Sequence, residues 1–249
     1  NKFDFIAGFE SYENLQLVSS DRYQYILPYY SFDKQIFTEF DKGFINFSSF
    51  GSNDLNNTNN LKSRVINDLN FQSLDLMTDY GFKNNYNIYL KNLNTTAKND
   101  SQYKSSPQVE LMSILEFNTS IPMIDENENN VNYLTPKISL RFNPGDMKNY
   151  SDADRKVSVN NIFEINRLGI DDSFEEGKSL TMGVDFKKTN ILDINKFFEA
   201  KLATVYREDD DNFIPSSSGI DKKNSNFFGS ISNNFSEFIN VGYDFIIDN

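Results

Sequence analysis

The chain has 249 residues, no cysteine, no histidine and a formal net charge of −12. Such a charge argues against a nucleic-acid partner, which requires a basic face. The missing cysteines exclude a disulfide framework within these residues, and the missing histidines remove the usual general base and metal ligand. Because no nucleophile motif replaces them, we expect a protein that is not an enzyme and that carries no cofactor and no metal.

Alternating apolar and polar residues predict β-strands along the whole chain, because successive side chains of a strand leave opposite faces. The 24 Phe and 13 Tyr also favour strands. The first strand is predicted from Phe3 to Glu10. The later predicted strands are Tyr23–Phe32, Gly43–Phe50, Ser63–Asp75, Tyr86–Leu93, Val109–Phe117, Tyr133–Phe142, Val157–Asn166, Lys178–Lys188, Phe198–Tyr206, Asn226–Phe235 and Ile239–Ile247.

Polar connections separate these strands. Five are expected to be long loops: Asn53–Asn60, Thr95–Ser106, Asp125–Asn132, Asn143–Asp154 and Glu208–Asn224. Two are short, Gly81–Asn85 and Asn234–Phe238, and Lys188–Phe197 fits either a longer strand pair or a helical turn. Long loops on one side and short turns on the other are typical of outer-membrane barrels. No run approaches 18 consecutive apolar residues, so no transmembrane helix is predicted.

The predicted strand Lys178–Lys188 alternates most clearly. Leu180, Met182, Val184 and Phe186 point one way, and the residues between them, such as Thr181 and Asp185, point the other way. Period 2 does not tell which face meets lipid or a core. A membrane barrel and a soluble sandwich both remain open on this evidence.

Several motifs between Tyr133 and Lys188 resemble a known family. They are LTPK at Leu134–Lys137, followed by LRFNPGD, NNIFEINRLG and EEGKSLTMG, and DRYQYILPYYSF at Asp21–Phe32 is similar to another part of the same domain. Their order and spacing resemble the barrel domain of the LptD family, the outer-membrane lipopolysaccharide-assembly proteins.

That resemblance implies an all-β fold, an antiparallel up-and-down transmembrane β-barrel. Residues 1–249 would be one incomplete segment of a larger outer-membrane barrel, with the N-terminal periplasmic domain and the barrel-closing strand missing. The implied function is non-enzymatic passage of lipopolysaccharide to the surface of a Gram-negative bacterium, through a lumen and a lateral gate. The implied partners are lipopolysaccharide, a lipoprotein plug in the lumen, periplasmic bridge proteins and outer-membrane lipid.

Two groups of site residues follow. Alternation makes eight residues candidates for the polar lumen wall: Lys137, Ser139, Arg141, Thr181, Asp185, Lys187, Glu199 and Lys201. Within the resemblance, Arg167, Glu176 and Gly177 match recurring positions at the ends of a hairpin. Together with Glu175 they are structural candidates, and we expect Arg167 to pair with Glu175 or Glu176 across that hairpin.

Two further functions compete with lipopolysaccharide assembly. One is a porin-like diffusion barrel with a constriction loop and no plug, and the other is a soluble β-sandwich binding or adhesin module. The acidic run Glu208–Asp211 lacks the alternating spacing of a calcium loop, so we interpret it as a solvated loop and leave cation binding open.

Overall fold

A computed structural model describes residues 3–37, 42–236 and 238–249 of the chain as one antiparallel sheet with almost no helix. Two short 3₁₀ turns lie at Ser20–Arg22 and Ser216–Ser218. The strands are β1 Phe3–Glu13, β2 Tyr23–Phe37, β3 Gly43–Asn56, β4 Asn60–Ser73, β5 Leu76–Met77, β6 Lys83–Lys98, β7 Gln108–Ser120, β8 Met123–Glu126, β9 Asn130–Asn143, β10 Gly177–Asn190, β11 Phe197–Arg207, β12 Phe227–Ser236 and β13 Ile239–Ile247.

The strands follow one another in the sheet in nearly the order of the chain. The path runs β1-β2-β3-β4-β6-β7-β9-β10-β11-β12-β13, and the short strands β5 and β8 pair with β6 and β9. Each neighbouring pair is therefore a hairpin, which confirms the predicted all-β antiparallel fold. No described pairing joins β1 to β13, so these two strands are the edges of the sheet and the sheet is open.

Most predicted strands are present and longer than the sequence pattern indicates. The prediction over Val157–Asn166 is wrong, because these residues form turns inside a long loop rather than a strand. The predicted loop Asn53–Asn60 is also wrong, because β3 and β4 meet in a tight turn. Asn57 and Thr58 have positive φ there (49° and 58°), a conformation that is common in tight hairpin turns.

The fold contains two compact units. Unit 1 comprises Asn1–Leu74 and Asn87–Ser113, and unit 2 comprises Asp75–Tyr86 and Ile114–Asn249. A cluster of buried apolar residues lies in unit 2, where it joins strand residues of β11 and β12 to the loops 144–176 and 208–226. Among the described residues, no helix is both long and apolar enough to cross a bilayer.

In unit 2 the longer loops lie at one end of the strands. Loop A (residues 144–176) joins β9 to β10, and loop B (residues 208–226) joins β11 to β12 at the same end. At the opposite end, β10 reaches β11 through residues 191–196. The sequence pattern leaves two conformations open for Lys188–Phe197, a longer strand pair or a helical turn. In the structure β10 extends to Asn190 and β11 begins at Phe197. A turn joins them and is closed by a hydrogen bond from Asn190 N–H to Lys196 C=O.

Candidate functional site: the loop-covered polar face

The register of β9, β10 and β11 brings the eight lumen candidates onto one face of the sheet. Directly paired residues of antiparallel strands point to the same side. Thr181 pairs with Ser139 and Ser179 with Arg141, and Gly183 pairs with Lys137. In the other hairpin Asp185 pairs with Lys201 and Lys187 with Glu199. Lys137, Ser139, Arg141, Thr181, Asp185, Lys187, Glu199 and Lys201 therefore share what we call the polar face of unit 2.

The opposite face of the same strands is apolar and uncovered. Leu180 pairs with Leu140 and Val184 pairs with Leu202. Leu140 is 50% exposed and Leu202 is 40% exposed. Large exposed apolar residues continue along the neighbouring positions of this apolar face: Leu134, Ile138, Phe142, Phe117, Ile231, Val241 and Tyr243. Every described strand belongs to one sheet, so no second sheet covers this face within that part of the chain.

Loops A and B cover one half of the polar face. Their apolar side chains pack on Ala203 and Val205 of β11 and on Phe228 of β12. The loop residues of this cluster are Met147, Val157, Val159, Ile162, Leu168, Ile170, Ile214 and Ile220. Fully burying a side chain of this type is worth about 1.5–3 kcal/mol, so the loops form a fixed cap rather than loose connections.

Arg167 is the central polar residue of this cap, and its side chain is fully buried. Its guanidinium binds Glu175 through two hydrogen bonds, Nε to Oε1 at 2.7 Å and Nη2 to Oε2 at 2.6 Å. The remaining Nη1 donates to Thr181 Oγ1 at 2.9 Å and to Ile162 C=O at 3.3 Å. Arg167 thus ties the middle of loop A, the end of loop A and strand β10 together. The expected pairing is present with Glu175, although Arg167 lies in a loop and not at a hairpin end.

A second arginine reaches the same carboxylate from β11. Arg207 Nη1 lies 3.0 Å from Glu175 Oε2, and its Nη2 donates to Asp211 Oδ2 at 3.2 Å and to Glu176 C=O at 2.9 Å. Burial by itself raises the pKa of Glu175, but the attraction of Arg167, its hydrogen bonds and the charge of Arg207 lower that pKa to about 2. Glu175 is therefore ionised at neutral pH. Burial raises the pKa of Asp211, although the hydrogen bond from Phe213 N–H and the positive charge of Arg207 each act to lower it.

The remaining hairpin candidates complete the junction between loop A and β10. Glu176 Oε2 accepts a hydrogen bond from Met147 N–H at 2.9 Å, so it holds the start of loop A instead of pairing with Arg167. Gly177 has φ +75°, which lets the chain turn from the cap into β10. Asn143 Nδ2 donates to Glu175 C=O at 2.9 Å and fixes the end of β9 to the same turn.

Arg141 forms a third attachment point. Its Nε binds Glu116 Oε1 at 3.1 Å, and both side chains are almost fully buried. Its Nη2 donates to the C=O groups of Phe163 and Glu164 in loop A. Glu116 also accepts from Ser139 Oγ at 3.2 Å. Charged hydrogen bonds of this kind are stronger than neutral ones, so Arg141 holds the tip of loop A onto β7 and β9.

The tip of loop A ends halfway along β10. A Cβ atom at Gly183 would lie 2.9 Å from Phe163 Cζ, so this position accepts the ring only because it lacks a side chain. Lys137 Nζ lies 4.3 Å from the centre of the Phe163 ring and 2.8 Å from Asp185 Oδ2. Beyond the tip, the polar face is open.

The cap divides the lumen candidates into two sets. Ser139 and Thr181 have no exposed surface and Arg141 has 7%, so these three are sealed beneath loop A. Thr181, which alternation makes a candidate for the lumen wall, therefore has no contact with water in this structure. Lys137, Asp185, Glu199 and Lys201 are half-buried and Lys187 is exposed, so these five form the open half of the polar face.

The charges of this open half are largely paired with one another. Lys201 Nζ lies 2.9 Å from Glu199 Oε1 and 3.4 Å from Asn160 Oδ1 of loop A.

The acidic run of loop B is also paired. Glu208 pairs with Lys178 at 3.0 Å, and Asp210 accepts a hydrogen bond from Lys223 N–H at 2.8 Å. Within the described ranges, no three acidic side chains come together as metal ligands would.

Two residues of this site escape sequence reasoning, Arg207 and Glu116. The interpretation of Glu208–Asp211 as a solvated loop is wrong for Asp211, which is 6% exposed and pairs with Arg207. Arg207 continues the inward alternation of Lys201, Ala203 and Val205, which is a usable signal. Glu116 alternates with the apolar residues of β7 in the same way. The apolar residues of the motif NNIFEINRLG are spaced almost regularly, so the motif predicts a strand. For this reason the loop that carries Arg167 is not predicted from the sequence.

No protein-family model matches the chain, and no curated protein matches it.

Proposed function

We propose that the chain is a non-enzymatic segment of an outer-membrane β-barrel that serves lipopolysaccharide assembly in a Gram-negative bacterium. The observation that carries the proposal is the uncovered apolar face of β9, β10 and β11, set back to back with a polar face. Large exposed apolar patches on soluble proteins are rare and usually mark an interface. A bilayer is the partner that an extended apolar sheet face fits.

The height of the apolar face supports this partner. On β10 the outward positions from Leu180 to Phe186 are apolar, and Lys178 and Lys188 stand at either end. The ten residue steps from Lys178 to Lys188 span about 33 Å of strand, so these two charged ends are separated by roughly 23 Å of membrane depth at a strand tilt of about 45°. The lipid-facing band of outer-membrane barrels is about 25 Å tall.

The choice of lipopolysaccharide as cargo rests on the family resemblance over Tyr133–Lys188. Under this proposal the open half of the polar face, around Lys137, Asp185 and Lys201, contacts the sugar chain or a lipoprotein plug. The cap of loops A and B closes the other half. Periplasmic bridge proteins deliver the cargo, and the energy comes from outside this chain, which carries no nucleotide-binding motif.

Depletion of the protein in its native bacterium tests this function. Newly made lipopolysaccharide is pulse-labelled, and the fraction that reaches the cell surface is measured by surface-specific modification. We expect that fraction to fall within one or two generations while a general porin continues to assemble. Unchanged surface delivery after complete depletion would exclude the proposed role.

A specific observation favours a porin-like diffusion barrel as the second candidate. Loop A folds across the polar face, as a constriction loop does, and Arg141 and Arg167 anchor it there. The full-length protein in liposomes distinguishes the two functions. Swelling in small sugars without any plug partner supports the diffusion barrel, and impermeability supports a dedicated translocon.

A further inference from the structure

We propose that the apolar face of unit 1 carries a binding groove for an amphiphile with an uncharged, hydroxyl-bearing head. This face is defined by the paired residues Phe47, Leu69 and Leu90. The inference rests on the proposed function in one respect only, namely that such a face meets lipid. Neither the cap nor the open half of the polar face takes part in this groove.

The groove has a volume of about 380 Å³, which lies in the usual range of small-molecule sites, about 300–1,000 Å³. Its floor is Gly51 in β3, and the Tyr30 ring lies over this residue. A Cβ atom at position 51 would stand 2.2 Å from Tyr30 Cε1. Glycine inside a strand thus lets an aromatic platform lie flat on the sheet, and apolar and aromatic surface of this kind accepts the flat face of a sugar ring or an alkyl chain.

Uncharged amides and hydroxyls surround this platform. Asn53, Ser63, Asn94 and Thr96 line the groove. Ser63 Oγ donates to Asn53 Oδ1 at 2.6 Å, and Asn94 Nδ2 donates to Asn92 Oδ1 at 2.6 Å. An amide has two donors and an acceptor oxygen, so each asparagine keeps hydrogen-bonding capacity for a ligand after these contacts.

Charge complementarity decides the class of head group. Among the described residues lining the groove, the charged one is Arg64. Its Nη2 pairs with Asp54 Oδ2 at 3.3 Å, and alternation places both residues on the opposite face of the sheet. A phosphate head would therefore find no cation in the groove, although phosphate sites rely on arginine or lysine. Neutral hydroxyl groups match the available amides and hydroxyls.

The position of the groove explains why its ligand has an apolar tail. Along the strands, Val65 and Asn94 are followed on the same face by Asn67 and Asn92, and then by Leu69 and Leu90. The polar side chains end where the apolar rows begin. A molecule whose head occupies the groove can lay its alkyl chain over Leu69 and Leu90, so a glycolipid or alkyl glycoside fits better than a free sugar.

The test compares two lipids with identical acyl chains, a glucosyl-diacylglycerol and a phosphatidylglycerol. The full chain is reconstituted in phosphatidylcholine nanodiscs that contain either lipid, and native mass spectrometry counts the lipid molecules retained. We expect at least fivefold more retention of the glucosyl lipid. Asn94→Leu, which keeps the volume and removes the amide, should abolish that preference.

Asn233→Leu is the matched control, because Asn233 also lies on an apolar sheet face, in β12 and outside the groove. It should leave retention unchanged. Equal retention of both lipids, stronger retention of phosphatidylglycerol, or an unchanged preference in Asn94→Leu would overturn the proposal. If the chain does not enter nanodiscs, the proposed membrane function fails separately. In that case decyl maltoside below its micelle concentration tests the groove in water, where saturable binding sensitive to Asn94→Leu supports it and no binding refutes it.

Discussion

Unit 1 and unit 2 hold their charged side chains by different means. In unit 2 two loops build an apolar core on the polar face and bury Arg167, Glu175 and Arg207 in one connected network. In unit 1 the described charges form separate pairs along the strands, such as Arg64 with Asp54 and Lys91 with Asp68. Lys91 and Asp54 are themselves 5% and 6% exposed, so burial alone does not distinguish the two units. The difference is that chain outside the sheet connects several buried charges of unit 2 into one network.

The apolar faces of the two units differ as well. The apolar face of unit 2 is continuous on β10 from Leu180 to Phe186. On the apolar face of unit 1, a hydrogen-bonded row interrupts the apolar residues: Ser49 Oγ donates to Asn67 at 2.7 Å and Asn67 donates to Asn92 at 3.1 Å. Because these polar groups bond with one another, the cost of removing them from water is reduced. Four predictions test these differences.

Removing Arg167 should have the largest effect. Arg167→Met removes two hydrogen bonds from the buried Glu175 carboxylate, which keeps only Arg207 as its cation, and it removes the donor to Thr181 Oγ1. Breaking a buried ion pair in this way costs about 3–5 kcal/mol. Urea unfolding in detergent, followed by circular dichroism, measures the free energy of unfolding. Lys178→Met is the control, because its pair with Glu208 is exposed and such pairs are worth roughly 0–1 kcal/mol. Similar losses in both variants would contradict the central position of Arg167.

A charge on the apolar face of unit 2 should have the second largest effect. Val184→Arg places a cation in hydrocarbon at a cost of about 2–4 kcal/mol near the midplane. The control needs a position on the polar face that, unlike Thr181, is not sealed under loop A. Ser230→Arg is this control, because Ser230 lies on the polar face, is half-buried and stands between Asp244 on β13 and Lys201 on β11. Assembly in an outer-membrane assay should fall only for Val184→Arg. Equal assembly of both variants would mean that this face does not meet lipid.

Acid should weaken unit 2 through Glu175. Its pKa falls from about 4.5 to about 2 on folding, so its contribution is fully present above pH 4.5 and is lost as the pH falls towards 2. The loss is on the order of 2–3 kcal/mol. Urea unfolding of the wild type and of Glu175→Gln between pH 6 and pH 2.5 measures it. The variant should have a lower free energy of unfolding at pH 6, and that free energy should change less between pH 6 and pH 2.5 than it does in the wild type. Parallel curves for the two proteins would mean that groups other than Glu175 cause the acid sensitivity.

Removing the arginine of an isolated ion pair in unit 1 should have the smallest effect on the free energy of unfolding. Arg64→Met removes a single 3.3 Å contact with Asp54, and the Arg64 side chain is 22% exposed, so water replaces part of the interaction. The Asp54 side chain is 9% exposed and keeps a hydrogen bond from Ser52 Oγ, so we expect a loss of about 1–2 kcal/mol. The same urea titration compares it with Arg167→Met. A loss as large as that of Arg167→Met would remove the distinction between isolated pairs and the cap network.

The strands and their two faces could be predicted from the sequence, because alternation is a local property of a pleated chain. Lys137, Asp185 and Lys201 fall on the polar face by counting alone, and Leu140 and Val184 fall on the other. Arg167 and Glu175 could also be expected to pair, through the family resemblance. The cap could not be predicted, since the apolar spacing within NNIFEINRLG imitates a strand.

By itself, then, the sequence determined the all-β class, the alternation of side chains between two faces in most strands and the acidic, cysteine-free character of the chain. Tertiary structure alone decided that Ser139, Arg141 and Thr181 are sealed while Lys137 and Lys187 are open. The physical reason is distance along the chain. Loop A folds back over β9 and β10, the strands that it joins, and it also reaches β11 and β12, which are further along the chain. The packing of Ile162 and Leu168 in the apolar cluster, with the bonds of Arg167, determines where the loop lies.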